Sequence, residues 1–593
     1  MAVTLERRPR ERQAPWRDSG NAAVVDILRS WGITFFAGVN GGGVVHVAKQ
    51  LEPFSDPGQA NDGVSRMLTM GEYVAGFAPL GHWLASGRIA GCITTTGAAT
   101  KLGASGISDA KLHNIPAVYL VALNSTMSIG NAPLQDVSDH GMNIVPQLEA
   151  ELGEGCIVID NINRLEDGLK KAQHVLKRSK PVTIAFHPDV LSRPTDADAP
   201  WTSNPRTFAA RDVAEFLDEF PRVAKGRRVI VYVSGEAAFV PGIRDLTTHL
   251  SGLLGAPTVW SVNGANAVSP ANPWGYGYIS FGGNDEAMSL WRGVTPDDVV
   301  ITLGFDPGEY SLNLGKINAG WVWHFTDLRD AYGHKHGEFR HRVAGEYRLV
   351  RGDIGMVLGE ILPRLSQAAR ERPASSRPAP ADLNTRAVSR DVRPGTVDAA
   401  EFYGRLNRMW RPGSMGFDDV CTAYKDRQYI AQRPNEHMPF FTTHDGSAMG
   451  SGFGLGVGAK CARPDLHTFV FTGDGCWRLF GGALADAANL GMNVFVVNNG
   501  VYGIVDKGLE VIIPEVDKRK YHSRLPKIDF VKAAEAHGWD AARVAPDLSN
   551  LGDIIDSCYQ RDGRSLLVEV PIDPDQLLGL NPRLANLTTK TYL

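Results

Sequence analysis

Two short runs hold the residue types and spacing that could do chemistry. Gly473-Asp474-Gly475 follows the apolar run Phe469–Phe471, and Asn498-Asn499 closes the predicted strand Val494–Val497. Between them lies a small-residue segment of helical character, so Thr472 to Ile504 reads as a strand-helix-strand unit with an acid at one strand end and an amide at the next. Parallel strands deliver their C-terminal ends to one edge of a sheet, where ligands bind in open α/β folds. Asp474 and Asn499 can converge there on one hard cation such as Mg²⁺, which prefers oxygen ligands and commonly also holds phosphate oxygens. The flanking glycines let backbone N–H groups approach a diphosphate closely. A second chemical candidate is Glu72, at the start of a predicted helix in Met70-Gly71-Glu72-Tyr73-Val74-Ala75-Gly76. Without context, an acid there is equally a dipole-stabilising surface charge.

The chain that must position these groups has 593 residues, enough for three domains of roughly 150–200 residues. A net charge of −4 lacks the basic balance of a nucleic-acid binder. Six cysteines without CxxC spacing suit neither a disulfide framework nor a zinc site and read as thiols in a reducing, cytoplasmic compartment. No apolar run approaches the ~20 residues of a membrane span. Residues 1–20, Arg-rich without an apolar core, read as a disordered leader.

The first predicted domain, 21–190, opens with helix Ala22–Trp31, strand Ile33–Ala37 and the glycines Gly38 to Gly43. Then come the Glu72 helix to Ala85, strand Ile89–Thr95, Thr96-Gly97, strand Ala117–Leu123 and the loop Asn131-Ala132-Pro133-Leu134-Gln135-Asp136. His113 and His140 flank this region and could reach a substrate carboxylate, although lone histidines are more often structural. Residues 187–205 read as a linker to a second α/β domain, 206–365, with strands Val229–Val233, Thr258–Ser261 and Val299–Leu303 around helix Val240–Leu254. Residues 366–395 read as an extended surface linker, and the third domain, 396–593, carries Phe417–Val420, Thr443–Ala459 and the GDG unit.

In this order and at these distances, Glu72, the run THDGSAMGSGFGLGVGA from Thr443 to Ala459 and GDG…NN resemble the thiamine-diphosphate enzymes of the acetolactate synthase, pyruvate oxidase and benzoylformate decarboxylase superfamily. The resemblance spans about Asn21 to Pro574. It implies three doubly wound parallel-sheet α/β domains in the order pyrimidine, central, diphosphate. It further implies thiamine diphosphate as cofactor, with Mg²⁺ on Asp474, Asn499 and the carbonyl of Val501. Carried over residue by residue, Glu72 matches the glutamate that relays a proton to the aminopyrimidine and promotes the ylid. Met449 matches the apolar wedge that bends the cofactor. Gln135 matches a position facing the reacting centre, with Gly43 and His113 as further candidates near it. The remaining cofactor contacts implied are Thr96 in the first domain, then Thr422, Ala423 and Ser447. Gly473, Gly475, Cys476, Tyr502, Gly503 and Ile504 complete them in the GDG unit.

Several positions depart from the family pattern. Asn40 replaces a proline, Leu134 and Asp136 replace the neighbours of the retained Gln135, and Thr422-Ala423 replaces a polar pair. The absent side chain at Gly43 implies open space there. Gly475 to Asn498 is about two residues short. The loop Gly304 to Glu309 lacks the arginine of flavin-binding members, so FAD is not expected. The reaction implied is decarboxylation of a 2-oxo acid to an enamine followed by addition to a carbonyl acceptor, as in acetolactate synthase. A decarboxylase releasing an aldehyde is the alternative; an inactive, structural or regulatory paralogue is another of a different class. Because Glu72 and Asp474 fall in different domains, and the family builds its site between the pyrimidine domain of one subunit and the diphosphate domain of another, the resemblance implies a homodimer or dimer of dimers. The charged loop Asp506–Leu525 and the tail Leu577–Leu593 are expected to close over the site.

Overall fold

A computed structural model describes residues 17–59, 62–203, 205–368, 377–560 and 563–588. Three parallel sheets organise them, one in each predicted domain. The first sheet contains Phe35–Gly38 (β1), Glu52–Pro53 (β2), Arg66–Thr69 (β3), Gly91–Thr94 (β4), Val118–Ala122 (β5), Cys156–Ile159 (β6) and Val182–Phe186 (β7). Its spatial order is β2-β3-β1-β4-β5-β7-β6. The second contains Val229–Val233 (β8), Thr258–Trp260 (β9), Gly275–Tyr278 (β10), Val299–Leu303 (β11), Trp321–Thr326 (β12) and Glu346–Arg351 (β13), ordered β10-β9-β8-β11-β12-β13. The third contains Ser414–Asp418 (β14), Phe440–Phe441 (β15), His467–Gly473 (β16), Asn493–Asn498 (β17), Asp540–Arg543 (β18) and Leu566–Pro571 (β19), ordered β15-β14-β16-β17-β19-β18. The central strands, such as VYLVA of β5 and VIVYV of β8, are buried throughout because helices cover both faces of each sheet.

The chain winds outward in both directions from β1/β4, β8/β11 and β14/β16. The C-terminal ends of these pairs open the crevices where α/β sheets take ligands. First and third units share one apolar core, in which Phe77, Ala78, Phe453, Leu455 and Val457 meet. The contact is a crossing of helices Glu72–Ser86 and Ser451–Ala462, close enough that a Cβ on Gly81 would lie 1.8 Å from the Leu455 carbonyl oxygen. A Cβ on Gly458 would lie equally close, 1.8 Å, to that of Ala78.

Several expectations about connections are corrected. The leader ends earlier than residue 20, because Ser19 caps a helix Gly20–Ser30 and Arg17 pairs with Thr195; residues 1–16 lie outside those described. Residues 187–205 are not a free linker, since helix Pro188–Leu191 and the buried Ala197 and Ala199 pack into the first core. Of the 366–395 linker, 366–368 finish helix Ile354–Ala368, and the described remainder is strapped down by fully buried Leu383 and by Asn384, which accepts from the Asn284 amide at 3.0 Å. Pro241-Gly242 delays the central helix to Ile243–Leu254. The region expected to be a flap is mostly helix Gly503–Ile512 and a turn Lys518–Tyr521, and from the tail a helix Arg583–Thr588 packs against the former. After Asp474 the helical character lasts only for Asp474–Trp477, followed by single turns at Gly481–Ala483 and Ala485–Ala487. No helix among the described residues is long and apolar enough to cross a membrane.

Candidate active site

The third sheet gathers one half of the site at its β14/β16 crevice. Chain leaving β14 turns at Cys421 into helix Thr422–Ala431, whose first-turn N–H groups face outward with the positive end of the helix dipole, a ready anion site. The Ala423 side chain is buried in the core behind it, so only its backbone is available to a ligand. From β16, Gly473 comes within 3.2 Å of the Cys421 side chain, measured from an ideal Cβ. Cys476 donates its thiol to the Val420 carbonyl at 3.0 Å. The ring of Tyr502 covers Gly475, where a Cβ would lie 2.6 Å from it, and Gly503 leaves room for the Asn499 amide and the Thr422 methyl. Ile504 instead packs against Val262, Phe281, Tyr310 and Tyr424.

Asp474 is 5 % exposed and accepts the Gly500 N–H at 2.9 Å. Burial pushes its carboxyl up to about 6 against that hydrogen bond. Asn499 Oδ1 accepts the Val501 N–H at 3.0 Å, folding the chain so that Asn499 and Val501 follow Asp474 along the same edge. The donor set is oxygen only, the chemistry of a hard cation, and the cradle of Gly473, Gly475 and helix N–H groups suits a diphosphate. These residues fit a Mg²⁺-bridged diphosphate.

Asp419, in the run Phe417–Val420 at the end of β14, supports the site from behind. Fully buried, it accepts Gly450 N–H at 2.8 Å and the Thr472 hydroxyl at 2.7 Å, and burial raises it to about 6. Gly450 N–H is thereby held on one side of Met449, while the Tyr73 hydroxyl donates to the Met449 carbonyl on the other. Gly450, at φ +89°, makes the turn that sets Met449 at the mouth of helix Ser451–Ala462. Since Tyr73 follows Glu72 directly, this link sets the start of the Glu72 helix alongside Met449. Burial, and secondarily the nearby Glu72 carboxylate, raise the Cys92 thiol on β4.

The other half lies at the β1/β4 crevice of the first sheet. Gly43 and Thr96 meet there, and Gly43 N–H donates to Thr95 Oγ1 at 3.3 Å. Contrary to the open space expected at Gly43, a Cβ would lie 2.6 Å from Thr96 Oγ1 and 2.7 Å from the Ala122 side chain, so the position is packed shut. Gln135, at φ +55°, sits over the Gly97 turn, and the loop beneath it is pinned by Asn124, which accepts Val137 N–H at 2.8 Å. His113 is not at this edge. It ends helix Ala98–Leu112, before β5 rather than after it, and touches Asp445 of the third unit. His140 is 91 % exposed. Ser447, also left-handed at φ +52°, lines a separate cleft with Glu309, Tyr310 and Arg583.

A fold of parallel strand-edge crevices with a buried acid, a phosphate cradle and a glutamate-led helix defines a diphosphate-cofactor enzyme, and comparison with known proteins gives its class. Residues 18–142 match the N-terminal and residues 421–570 the C-terminal TPP-binding domain of thiamine pyrophosphate enzymes. The chain belongs to the thiamine-diphosphate enzymes of the acetolactate synthase, pyruvate oxidase and benzoylformate decarboxylase superfamily. It is 23 % identical to an acetolactate synthase of Mycobacterium avium, over 95 % of this chain and 89 % of that protein. It is 24 % identical to a probable 2-ketoarginine decarboxylase of Pseudomonas aeruginosa, over 92 % of each. The structure superposes on a thiamine diphosphate-dependent 4-hydroxybenzoylformate decarboxylase of Rhodococcus jostii RHA1 with a TM-score of 0.73, covering 94 % of this chain and 100 % of the other at 16 % identity. That likeness extends the fold to all three units.

Proposed function

We propose that the protein decarboxylates a 2-oxo acid and joins the remaining acyl group to a carbonyl acceptor, as an acetolactate-synthase-like carboligase dependent on thiamine diphosphate and Mg²⁺. The observation that carries this reading is the buried Asp474 beside the Gly473–Gly475 cradle and the start of helix Thr422–Ala431, an oxygen-lined seat for a diphosphate and a hard cation. When bound, the cofactor supplies the electron sink for loss of CO₂. Asp474, Asn499 and the Val501 carbonyl would hold the metal, and the Thr422 helix start would hold the phosphates. Met449 would support the bent cofactor, and Glu72 would hold and return a proton at the aminopyrimidine. On the facing crevice, Gln135 would orient the substrate's polar end and Thr96 would contact the cofactor.

FAD plays no part in this reading. The second sheet's crevice is spanned by Asp306, whose carboxylate takes the Gly235 N–H at 2.9 Å that a phosphate would need. The complete site forms between two copies of the chain, the Glu72 edge of one against the Asp474 edge of the other. In support, Met127 and Leu134, in the segment leading to Gln135, are 83 % and 90 % exposed, an apolar surface suited to a second subunit. Likeness to a 2-ketoarginine decarboxylase favours a second reading, in which an aldehyde is released without an acceptor. Purified protein with thiamine diphosphate and Mg²⁺, offered a panel of 2-oxo acids with and without aldehydes or ketones, separates the two when CO₂ and product mass are followed together. Products with a new C–C bond that require the acceptor are expected. Aldehyde release regardless of acceptor would replace carboligation by simple decarboxylation, and absence of CO₂ across the panel despite bound cofactor would favour the inactive-paralogue reading.

A further inference from the structure

At the junction of the three units, His113, His444 and Asp445 converge at the mouth of the second sheet's crevice, sharing its lining with Gly235 and Asp306. His113 Nδ1 lies 3.1 Å from the Asp109 carbonyl oxygen, so Nδ1 carries the proton and Nε2 is left with a lone pair. That Nε2 accepts the Asp445 backbone N–H in a long bond of 3.3 Å, which a metal ion would displace, and lies 3.8 Å from Asp445 Oδ2. His444 is 4 % exposed, and neither of its ring nitrogens has a hydrogen-bond partner among the described residues. Its Nε2 stands 3.8 Å from the other carboxylate oxygen, Oδ1. One ligand atom from each of the three residues lies within 4.8 Å of the others.

A separation of 3.8 Å is too long for a hydrogen bond. It is close to the spacing of neighbouring ligands around a single ion: at metal–ligand distances of roughly 2.0–2.2 Å, tetrahedral neighbours stand about 3.4 Å apart. A buried imidazole with both nitrogens unpartnered carries an unrecovered desolvation cost, which a bound cation would remove. We propose that His113, His444 and Asp445 bind a divalent first-row transition metal of the Zn²⁺ type, clamping the first unit to the third. Two imidazoles and one carboxylate favour such an ion over Mg²⁺ or Ca²⁺, so the site is chemically distinct from the oxygen set around Asp474. The three residues line a cavity of about 270 Å³ between the units, so a fourth coordination position would open onto space for water or a small ligand.

The test uses untagged full-length protein, stripped with chelator and then supplied with thiamine diphosphate and Mg²⁺, into which Co²⁺ is titrated. Visible d–d absorption reports four- or five-coordinate Co²⁺, and Zn²⁺ serves as competitor. About one Co²⁺ per chain is expected, displaced by Zn²⁺. Binding should weaken at least about tenfold in His444→Gln and in His113→Asn, and be retained in Asp474→Asn. If His444→Gln does not fold, His113→Asn, at the less buried ligand, decides. Absence of saturable Co²⁺ binding, binding that survives the decisive variant, or binding lost in Asp474→Asn would each overturn the assignment.

Discussion

Glu72 and Asp109 can each be tested singly. Glu72→Gln keeps the shape and hydrogen-bonding reach of the side chain at the helix start but cannot exchange a proton. Turnover should fall by about 10²–10⁴, the usual contribution of a positioned acid–base group, while Mg²⁺-dependent cofactor binding stays within a few fold. CO₂ release and calorimetric titration of the cofactor check the two separately, and equal loss of both would give Glu72 a structural role instead. Asp109 is buried, one of its oxygens lacks a partner, and burial raises it to about 7 against the pull of His113 and the Thr443 hydroxyl. Its unfolded value is about 3.9, so between these limits the folded chain binds the extra proton and stability falls as pH rises. Above about 7 the loss is complete, at most about 4 kcal/mol from this group. Asp419, raised to about 6, slopes the same way. Denaturant unfolding of chelated protein at about pH 5 and about pH 8 should therefore show greater stability at the lower pH, and Asp109→Asn should reduce the difference by that group's share, leaving the part due to Glu236, which burial also raises to about 7.

At the scale of elements, the crossing of helices Glu72–Ser86 and Ser451–Ala462 sets where Glu72 and Met449 stand. Gly458→Ala would place a methyl 1.8 Å from the Ala78 carbonyl oxygen, an overlap with backbone that no rotamer relieves. The helices must part, at a cost of about 1–3 kcal/mol, and because the Tyr73–Met449 link lies at the head of the same crossing, cofactor affinity should fall along with the melting temperature. A variant melting like the wild type would show the crossing to be looser than this. Such contacts mark the limit of what was legible in the sequence. Strands buried on both faces, such as β5 and β8, announce themselves as apolar runs, and the acid and amide at the ends of β16 and β17 are set by strand direction alone. The packed side of Gly43 was not legible, because it depends on Thr96 and Ala122 arriving from neighbouring strands. Nor was the brevity of helix Asp474–Trp477, or the order within the supposed flap, which comes from packing against the C-terminal helix. His113 and Asp445 stand 332 residues apart, so their meeting is a property of the fold and not of either neighbourhood in the chain.

For the molecule as a whole the question is which chain completes which site. Within one chain the Glu72 helix is tied to the Met449 turn, yet the two strand-edge crevices belong to separate sheets, and the apolar surface at Met127 and Leu134 is left exposed beside the first of them. If the Glu72 edge of one copy serves the Asp474 edge of another, a chain carrying Glu72→Gln and a chain carrying Asp474→Asn are complementary. Each is inactive alone, but a mixed dimer holds one site with both defects and one with neither. Co-refolded or co-expressed chains with different affinity tags, purified through both, should recover about half the wild-type activity per dimer if the two sites act independently. Sites built wholly within a chain would give the opposite result, because every site in the mixture would keep one defect and the mixed dimer would be as inactive as its parents. Sedimentation at falling concentration adds the physical side. An obligate dimer should lose cofactor binding as it dissociates, whereas Leu134→Asp, a charge set on the exposed apolar loop, should bring that dissociation to higher concentration without altering the fold of the monomer.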